Sequence, residues 1–301
     1  MAKVPRGHGP WPPNNDEHAV LAWLIQRLGM LDDREAKSTA LWLMDSASSS
    51  TRGDRLMNSF KWPESMLDRL ALWGDRIQDG EPIQYVLGEA WFDGLKLKVG
   101  PGVLIPRPET EELMAAMAGV IDQEGSRSPK IVDWCTGSGC MALALKRRIP
   151  DSSVLGLDIS EEALTYAQEN AARLGLDVEW GKQDLLNPEG APEKPADVVV
   201  CNPPYIPNRE ASDLDDHVVH HEPHLALFVS DEDPLAFHHA LVAWAEAGGL
   251  APGGWLGMEC HRDGATSLAH WLKALDGWQD VDILRDLQGM TRHVVARRCL
   301  T

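Results

Sequence analysis

Between about residue 15 and residue 80, apolar positions recur three and four apart, as in Ala19, Trp23, Leu24 and Leu28 and again in Leu67, Leu70, Ala71 and Trp73. That period lines them up on one face of successive helices. Gly29, the serines at 48–50 and Gly53 read as breaks. Trp62-Pro63-Glu64 reads as a helix start, because a proline in the first turn has no intrahelical bond to lose. Residues 15–88 are therefore expected to form a small helical domain with no catalytic constellation of its own. The Pro- and Gly-rich residues 1–14 read as a mobile arm.

The period changes to two in Ala90 through Val99, which alternates around Asp93-Gly94 and predicts a β-hairpin. Residues 89–110 are read as this hairpin, acting as a linker, plus the loop that follows it. From Lys130 onward short apolar runs alternate with amphipathic helices: Ile131 to Asp133, a helix after Gly139, Val154 to Asp158, a helix from Glu161, and Val198 to Cys201. Ser160 suits the N-cap of the second helix and Gly175 its C-terminal cap. Alternation of this kind implies α/β architecture, a parallel sheet with crossover helices. Trp255 to Cys260, Val281 to Leu284 and His293 to Ala296 read as three more strands, the last two close enough in sequence to pair antiparallel. Residues 111–301 thus predict a mostly parallel sheet with an antiparallel strand near one edge.

The chain has 301 residues, enough for two domains with a sizeable core, and its formal net charge of -18 disfavours non-specific nucleic-acid binding. Five cysteines, at 135, 140, 201, 260 and 299, form no C-x-x-C pair; a reducing cytoplasm fits them better than a disulfide framework. No apolar run suggests a signal peptide or a membrane span. His217, His220, His221 and His224 cluster without a clear scaffold, so they are read as solvated histidines and no metal is expected.

Candidate chemistry begins at Asp133-Trp134-Cys135-Thr136-Gly137-Ser138-Gly139-Cys140, where a strand should turn into a helix. Glycines there let the backbone approach a ligand, and an acid at the end of the next strand, Asp158, suits ribose hydroxyls. Gly137-x-Gly139-x-x-Ala142 also satisfies the dinucleotide pattern, so this stretch leaves a nicotinamide cofactor and S-adenosyl-L-methionine both open. Asn202-Pro203-Pro204-Tyr205 directly follows the run Val198 to Cys201 and should sit beside that turn. Its two prolines make the loop rigid. A side-chain carbonyl from Asn202 and the backbone carbonyl of Pro203 are able to accept both N–H bonds of an amide or exocyclic amine, with Tyr205 walling one face.

These residues, together with Pro82-Ile83-Gln84-Tyr85-Val86-Leu87-Gly88, Leu104-Ile105-Pro106-Arg107-Pro108-Glu109-Thr110-Glu111, and Glu222-Pro223 followed by Leu225-Ala226-Leu227, resemble the HemK/PrmC type of protein-glutamine methyltransferases in the family's order. The family methylates the glutamine amide of the Gly-Gly-Gln loop in peptide chain release factors. The resemblance runs from about residue 15 to the end, and its most specific segment is LIPRPETE; the Asn-Pro-Pro-Tyr element is shared with adenine-amino methyltransferases.

The resemblance implies a Rossmann-like class I methyltransferase sheet, S-adenosyl-L-methionine as cofactor with S-adenosyl-L-homocysteine as product, and class I release factors as partners of a monomeric cytoplasmic enzyme, with no direct nucleic-acid or membrane contact. It implies that Asp133, Thr136 and Gly137 border the cofactor's methionine part, with Cys135 and Gly139 also among the cofactor-binding positions, that Asp158 serves the ribose and Asp184 the adenine amino group. Asn202, Pro203, Pro204 and Tyr205 would hold the substrate glutamine, Asn202 also bordering the cofactor. Arg107 and Glu109 would order the covering loop, and Glu222 would support the substrate side. The chain departs from the family pattern at Cys135, where a glycine is usual, and at Val219 and His221, where an Arg and an aromatic are usual. Rival readings are glutamine methylation of a ribosomal protein, adenine methylation of nucleic acid, and a non-catalytic relative that lost cofactor affinity through Cys135.

Overall fold

Asp16 and Asp32 each turn a side-chain oxygen onto the free N–H groups of a following first turn, and so start helices α1 (Glu17–Arg27) and α2 (Asp33–Ser48). The computed structural model describes residues 7–190 and 194–300. Thr51 and Asp54 form a reciprocal capping box that opens α3 (Arg52–Met57). Gly53, expected as a break, therefore lies inside a first turn, where a glycine costs little once the cap is in place. Helix α4 (Glu64–Gln78) begins directly after Pro63, and α5 (Ile83–Leu87) ends on Gly88. Val20, Leu24, Leu28, Leu43, Met44, Leu70 and Ala71 form the apolar core of this helical unit. Glu17, 4% exposed, takes bonds from the Arg55 guanidinium and from the Trp62 indole at 3.1 Å, so the charge it carries inside is fully paired. Residues 7–14, expected within a mobile arm, lie against these helices: the Trp23 indole donates to the Pro10 carbonyl at 2.7 Å. Residues 1–6 of that arm fall outside the described residues.

Strands β1 (Glu89–Phe92) and β2 (Leu95–Lys98) pair antiparallel with Phe92 opposite Leu95, so Asp93 and Gly94 alone make the turn, both at positive φ. Phe92, Leu95 and Leu97 enter the same apolar cluster as α6 (Pro108–Gln123), so the hairpin packs as part of the second unit. Then follow β3 (Lys130–Trp134), α7 (Cys140–Arg148), β4 (Ser153–Asp158), α8 (Glu161–Leu174), β5 (Glu179–Lys182), β6 (Ala196–Cys201) and the two-residue β7 (Ile206–Pro207). Ser160 accepts the Ala163 N–H and Gly175 closes α8 in the left-handed conformation, as their types predict. Short helices α9 (Asp216–His221) and α10 (His224–Leu227) precede β8 (Phe228–Val229), α11 (Ala236–Trp244), β9 (Leu250–Glu259), α12 (Gly264–Lys273), β10 (Trp278–Arg285) and β11 (Thr291–Arg298). Segment α9 clusters with the helical unit; the rest from Glu89 onward forms the second unit.

Seven strands make one sheet in the order β10-β11-β9-β6-β3-β4-β5. Among the described strands of this sheet β11 alone runs opposite to the rest, which places the antiparallel strand one position in from the edge. Side chains alternate between the faces: Val199 and Cys201 join Leu241, Leu268 and Leu272 on one side, while Val198 and Val200 join Leu113, Met117 and Leu143 on the other. Helices thus cover both faces, and the near-continuous apolar runs of β3 and β6 follow from burial on both sides. Among the described residues no helix is long and apolar enough to cross a membrane.

Candidate active site

β3 and β6 lie in parallel with Trp134 opposite Cys201, and the chain leaves their carboxyl ends as residues 135–139 and 202–205. Between these strands the order of the sheet reverses, β4 and β5 extending it one way and β6 and β9 the other. A parallel sheet leaves a crevice at such a reversal. The cavity found there is lined by Cys135, Thr136, Gly137, Asp158, Asp184, Asn202 and Pro204, with Arg107, Leu104, Leu225 and Phe237 at other parts of its wall. Six other residues singled out in the sequence, Asp133, Gly139, Pro203, Tyr205, Glu109 and Glu222, do not line it.

The turn after β3 is tied on all sides. Thr136 N–H donates to the Leu157 carbonyl at 3.0 Å, Gly139 N–H to the Thr136 carbonyl at 2.8 Å, and the Asn170 amide to the Ser138 carbonyl at 3.0 Å. Gly137 has a φ of 56°, and a side chain there would meet open space. Its N–H donates to Asp158 Oδ2 at 2.9 Å, while Oδ1 accepts from Ser160 N–H at 2.9 Å. Burial raises the Asp158 carboxyl above its usual range, against the pull of these backbone donors. Asp184 folds back on its own loop, accepting from Leu186 N–H and the Asn187 amide, both at 2.9 Å.

Asp133 lies under the turn with no exposure. Its Oδ2 accepts from the Thr136 hydroxyl at 2.6 Å and from Ala142 N–H at 3.1 Å, but Oδ1 has no partner. Burial pushes this carboxyl up to about 7, outweighing both hydrogen bonds. A folded-state value above the unfolded one means that stability is fully present below about 3.8 and is lost as pH rises through about 7. Comparing urea unfolding of Asp133→Asn with wild type is therefore expected to show the wild type losing ground steadily between pH 4.5 and 7.5, with a flat difference above.

Cys135 holds a φ of 56°, the left-handed region that favours glycine. Its thiol packs beside Cys201 in the apolar cluster, which offsets part of that backbone strain. Replacing it with the β-branched valine is expected to cost about 2 kcal/mol in urea unfolding, whereas Cys135→Gly should stay within about 1 kcal/mol of wild type.

At the far side of β6, the Asn202 amide donates to Thr110 Oγ1 at 3.1 Å, Thr110 donates to Glu259 Oε2 at 2.7 Å, and Tyr205 donates to Glu259 Oε1 at 3.0 Å. Glu259 closes β9 at 1% exposure. Burial raises its carboxyl, while the two hydroxyl donors lower it, and burial with the neighbouring Glu259 charge pushes the Tyr205 phenol well up.

The loop before α6 is clamped by Glu222, which takes the Ile105 N–H at 3.1 Å and the Arg107 guanidinium at 2.5 Å. Glu109 stands in the first turn of α6, where a carboxylate complements the positive helix end. Of the four clustered histidines, 217, 220 and 221 belong to α9 and His224 begins α10. Among the described residues no group of three or more His, Cys, Asp or Glu side chains is gathered to hold a metal ion.

A family described as "Methyltransferase domain" matches residues 131–219. The release factor glutamine methyltransferase of Bacteroides thetaiotaomicron is 39% identical over 225 residues, covering 74% of this chain and 78% of that protein. That of Mycolicibacterium smegmatis is 42% identical, covering 72% and 75%. The chain belongs to the release factor glutamine methyltransferase family. Among solved structures, the catalytic domain of human Mettl16, in complex with an RNA hairpin, superposes with a TM-score of 0.55 at 17% identity, over 78% of this chain and 82% of that one, which shows the shared fold.

In this methyltransferase two groups that contact the Asn-Pro-Pro-Tyr loop, Thr110 and Glu259, were not among the residues singled out for a role. Glu259 carried a readable signal: a carboxylate at the carboxyl end of the apolar run Trp255 to Cys260, in a fold that places its chemistry at such ends. Gln183, whose buried Oε1 has no partner and which lines the cavity beside Asp184, had no such signal.

Proposed function

We propose that this methyltransferase transfers the methyl group of S-adenosyl-L-methionine to the side-chain amide nitrogen of the glutamine in the Gly-Gly-Gln loop of a class I peptide chain release factor. The observation that carries the reading is the position of the Asn202-Pro203-Pro204-Tyr205 loop at the sheet reversal, directly beside the turn tied to Asp158. Family membership supports the substrate.

The residues present fit the cofactor. Asp158 faces the cavity at the end of β4, where it suits ribose hydroxyls, and Asp184 stands further along the wall for the adenine. Under the turn the buried Asp133 carboxyl keeps an Oδ1 without a partner, and a cationic group bound nearby would favour its ionised form against the burial that raises it. When bound, the cofactor supplies a methyl group activated by its positive sulfur. Everything else falls to the protein.

An amide nitrogen is a poor nucleophile because its lone pair is delocalised. Asn202 Oδ1 and the Pro203 carbonyl accept its two N–H bonds and hold the nitrogen toward the methyl donor, their dipoles opposing the positive charge that develops on it. Pro203 and Pro204 keep these acceptors from relaxing. Tyr205 bounds one face of the planar amide. No protein base is required, since the nitrogen sheds its proton to water after transfer. Arg107, Glu109 and Glu222 order the loop that covers the site, and the helical unit docks the release factor.

Incubating the protein with labelled S-adenosyl-L-methionine and, side by side, purified unmethylated release factor and purified ribosomal subunits tests the reading. Label in the release factor alone is expected. Label in a ribosomal protein, or in nuclease-sensitive material, contradicts it.

A further inference from the structure

Glu259 touches no part of the cavity, yet it decides which end of Asn202 the cavity meets. Both hydroxyls that reach the Glu259 carboxyl group donate to it: Thr110 to Oε2 at 2.7 Å and Tyr205 to Oε1 at 3.0 Å. Thr110 has a single hydroxyl proton. With that proton committed, its oxygen meets Asn202 only as an acceptor, and only the Nδ2 end of the amide satisfies it, at 3.1 Å. The carbonyl oxygen of Asn202 is left at the opposite end of the amide.

We propose that Thr110 and Glu259 are positioning residues that fix the polarity of Asn202, so that it offers the bound substrate a carbonyl acceptor in place of an amino donor. The inference rests on the proposed function, in which an N–H group is what Asn202 receives. A flipped Asn202 keeps its shape but turns an N–H toward an N–H and loses the hold on the nitrogen. The device is well protected: Thr110 is 2% and Glu259 1% exposed, so water does not compete for the bonds that set the direction. Tyr205 shares the same carboxylate, so one buried acid orients both side chains that the mechanism sets against the amide.

Thr110→Val keeps the size and removes the hydroxyl. It is expected to lower kcat about 30-fold while KM and the dissociation constant for S-adenosyl-L-homocysteine stay within about threefold of wild type, a split that loosened packing would not produce. Thr110→Ser restores most of the lost kcat. Glu259→Gln, which allows the side-chain amide to donate to a hydroxyl, is expected to lower kcat about tenfold in the wild-type background and distinctly less in the Thr110→Val background, because its effect on Asn202 passes through Thr110. A loss under threefold for Thr110→Val, or equal losses from Glu259→Gln in both backgrounds, overturns the proposal.

A second arm does not depend on turnover. In 15N spectra of the wild-type protein, the Asn202 side-chain amide, assigned by its disappearance in Asn202→Ala, should exchange with solvent slowly, and Thr110→Val should speed that exchange at least tenfold. Unchanged exchange overturns the positioning role. Wild-type protein that methylates no glutamine overturns the proposed function instead, and the exchange measurement still judges the relay.

Discussion

Replacing Asn202 with alanine is expected to lower kcat for glutamine methylation about 10²–10³-fold while binding of S-adenosyl-L-homocysteine changes by no more than about threefold. Removing one preorganised polar partner of a developing charge costs about this much in other enzymes. The loss belongs in kcat because the acceptor matters most when the nitrogen turns positive in the transition state. The substitution leaves the fold in place. Asn202 is only partly buried, its side-chain amide donates to Thr110, and Thr110 keeps its bond to Glu259. Steady-state kinetics with release factor as the varied substrate, alongside calorimetric titration of S-adenosyl-L-homocysteine, checks the split. A raised KM with unchanged kcat would assign Asn202 to simple binding.

Glu222→Ala is expected to cost about 3 kcal/mol or more in urea unfolding. The Glu222 side chain is fully buried and holds two charge-assisted bonds, from Ile105 N–H and Arg107. Truncation leaves a backbone donor without its acceptor and a guanidinium, 32% exposed, without its counter-charge. Breaking a buried pair from one side costs far more than the pair contributes, which is why the effect should be large. Arg107→Ala is expected to cost a comparable amount, since it leaves the fully buried Glu222 carboxylate with the Ile105 N–H but without its counter-charge. The ion pair between Lys182 and Glu161 is the internal control: both side chains are more than half exposed, and its removal should leave stability unchanged within error.

The parts of the molecule governed by local periodicity were legible in the sequence. The runs at Ile131, Val154 and Val198 became β3, β4 and β6 because strands buried on both faces must be apolar throughout. Asp93-Gly94 became a two-residue turn because both positions need positive φ. Strand β5 was not legible: Glu-Trp-Gly-Lys at 179–182 neither alternates nor runs apolar, because it pairs on one edge only, with β4. Gly53 misled because a glycine in the first turn of a capped helix looks the same in sequence as a glycine between helices.

The same division holds in the site. Residues adjacent in sequence, such as 135–139 and 202–205, announced themselves by their turn chemistry. Partners far apart along the chain did not: 92 residues separate Thr110 from Asn202, and 149 separate it from Glu259. Family resemblance implies roles for Arg107 and Glu222, but the bond between them appears only when folding brings residues 115 apart together.

The central claim, that a glutamine amide of a release factor is the methyl acceptor, is tested most directly by locating the transferred group. Unmethylated release factor, in its natural form and with the Gly-Gly-Gln glutamine replaced, is incubated with the protein and S-adenosyl-L-methionine, digested, and mapped by mass spectrometry. The account predicts one methyl group on that glutamine side chain in the natural factor and none anywhere in the replaced one. A methyl group on any other residue, or one that persists after the replacement, would contradict it.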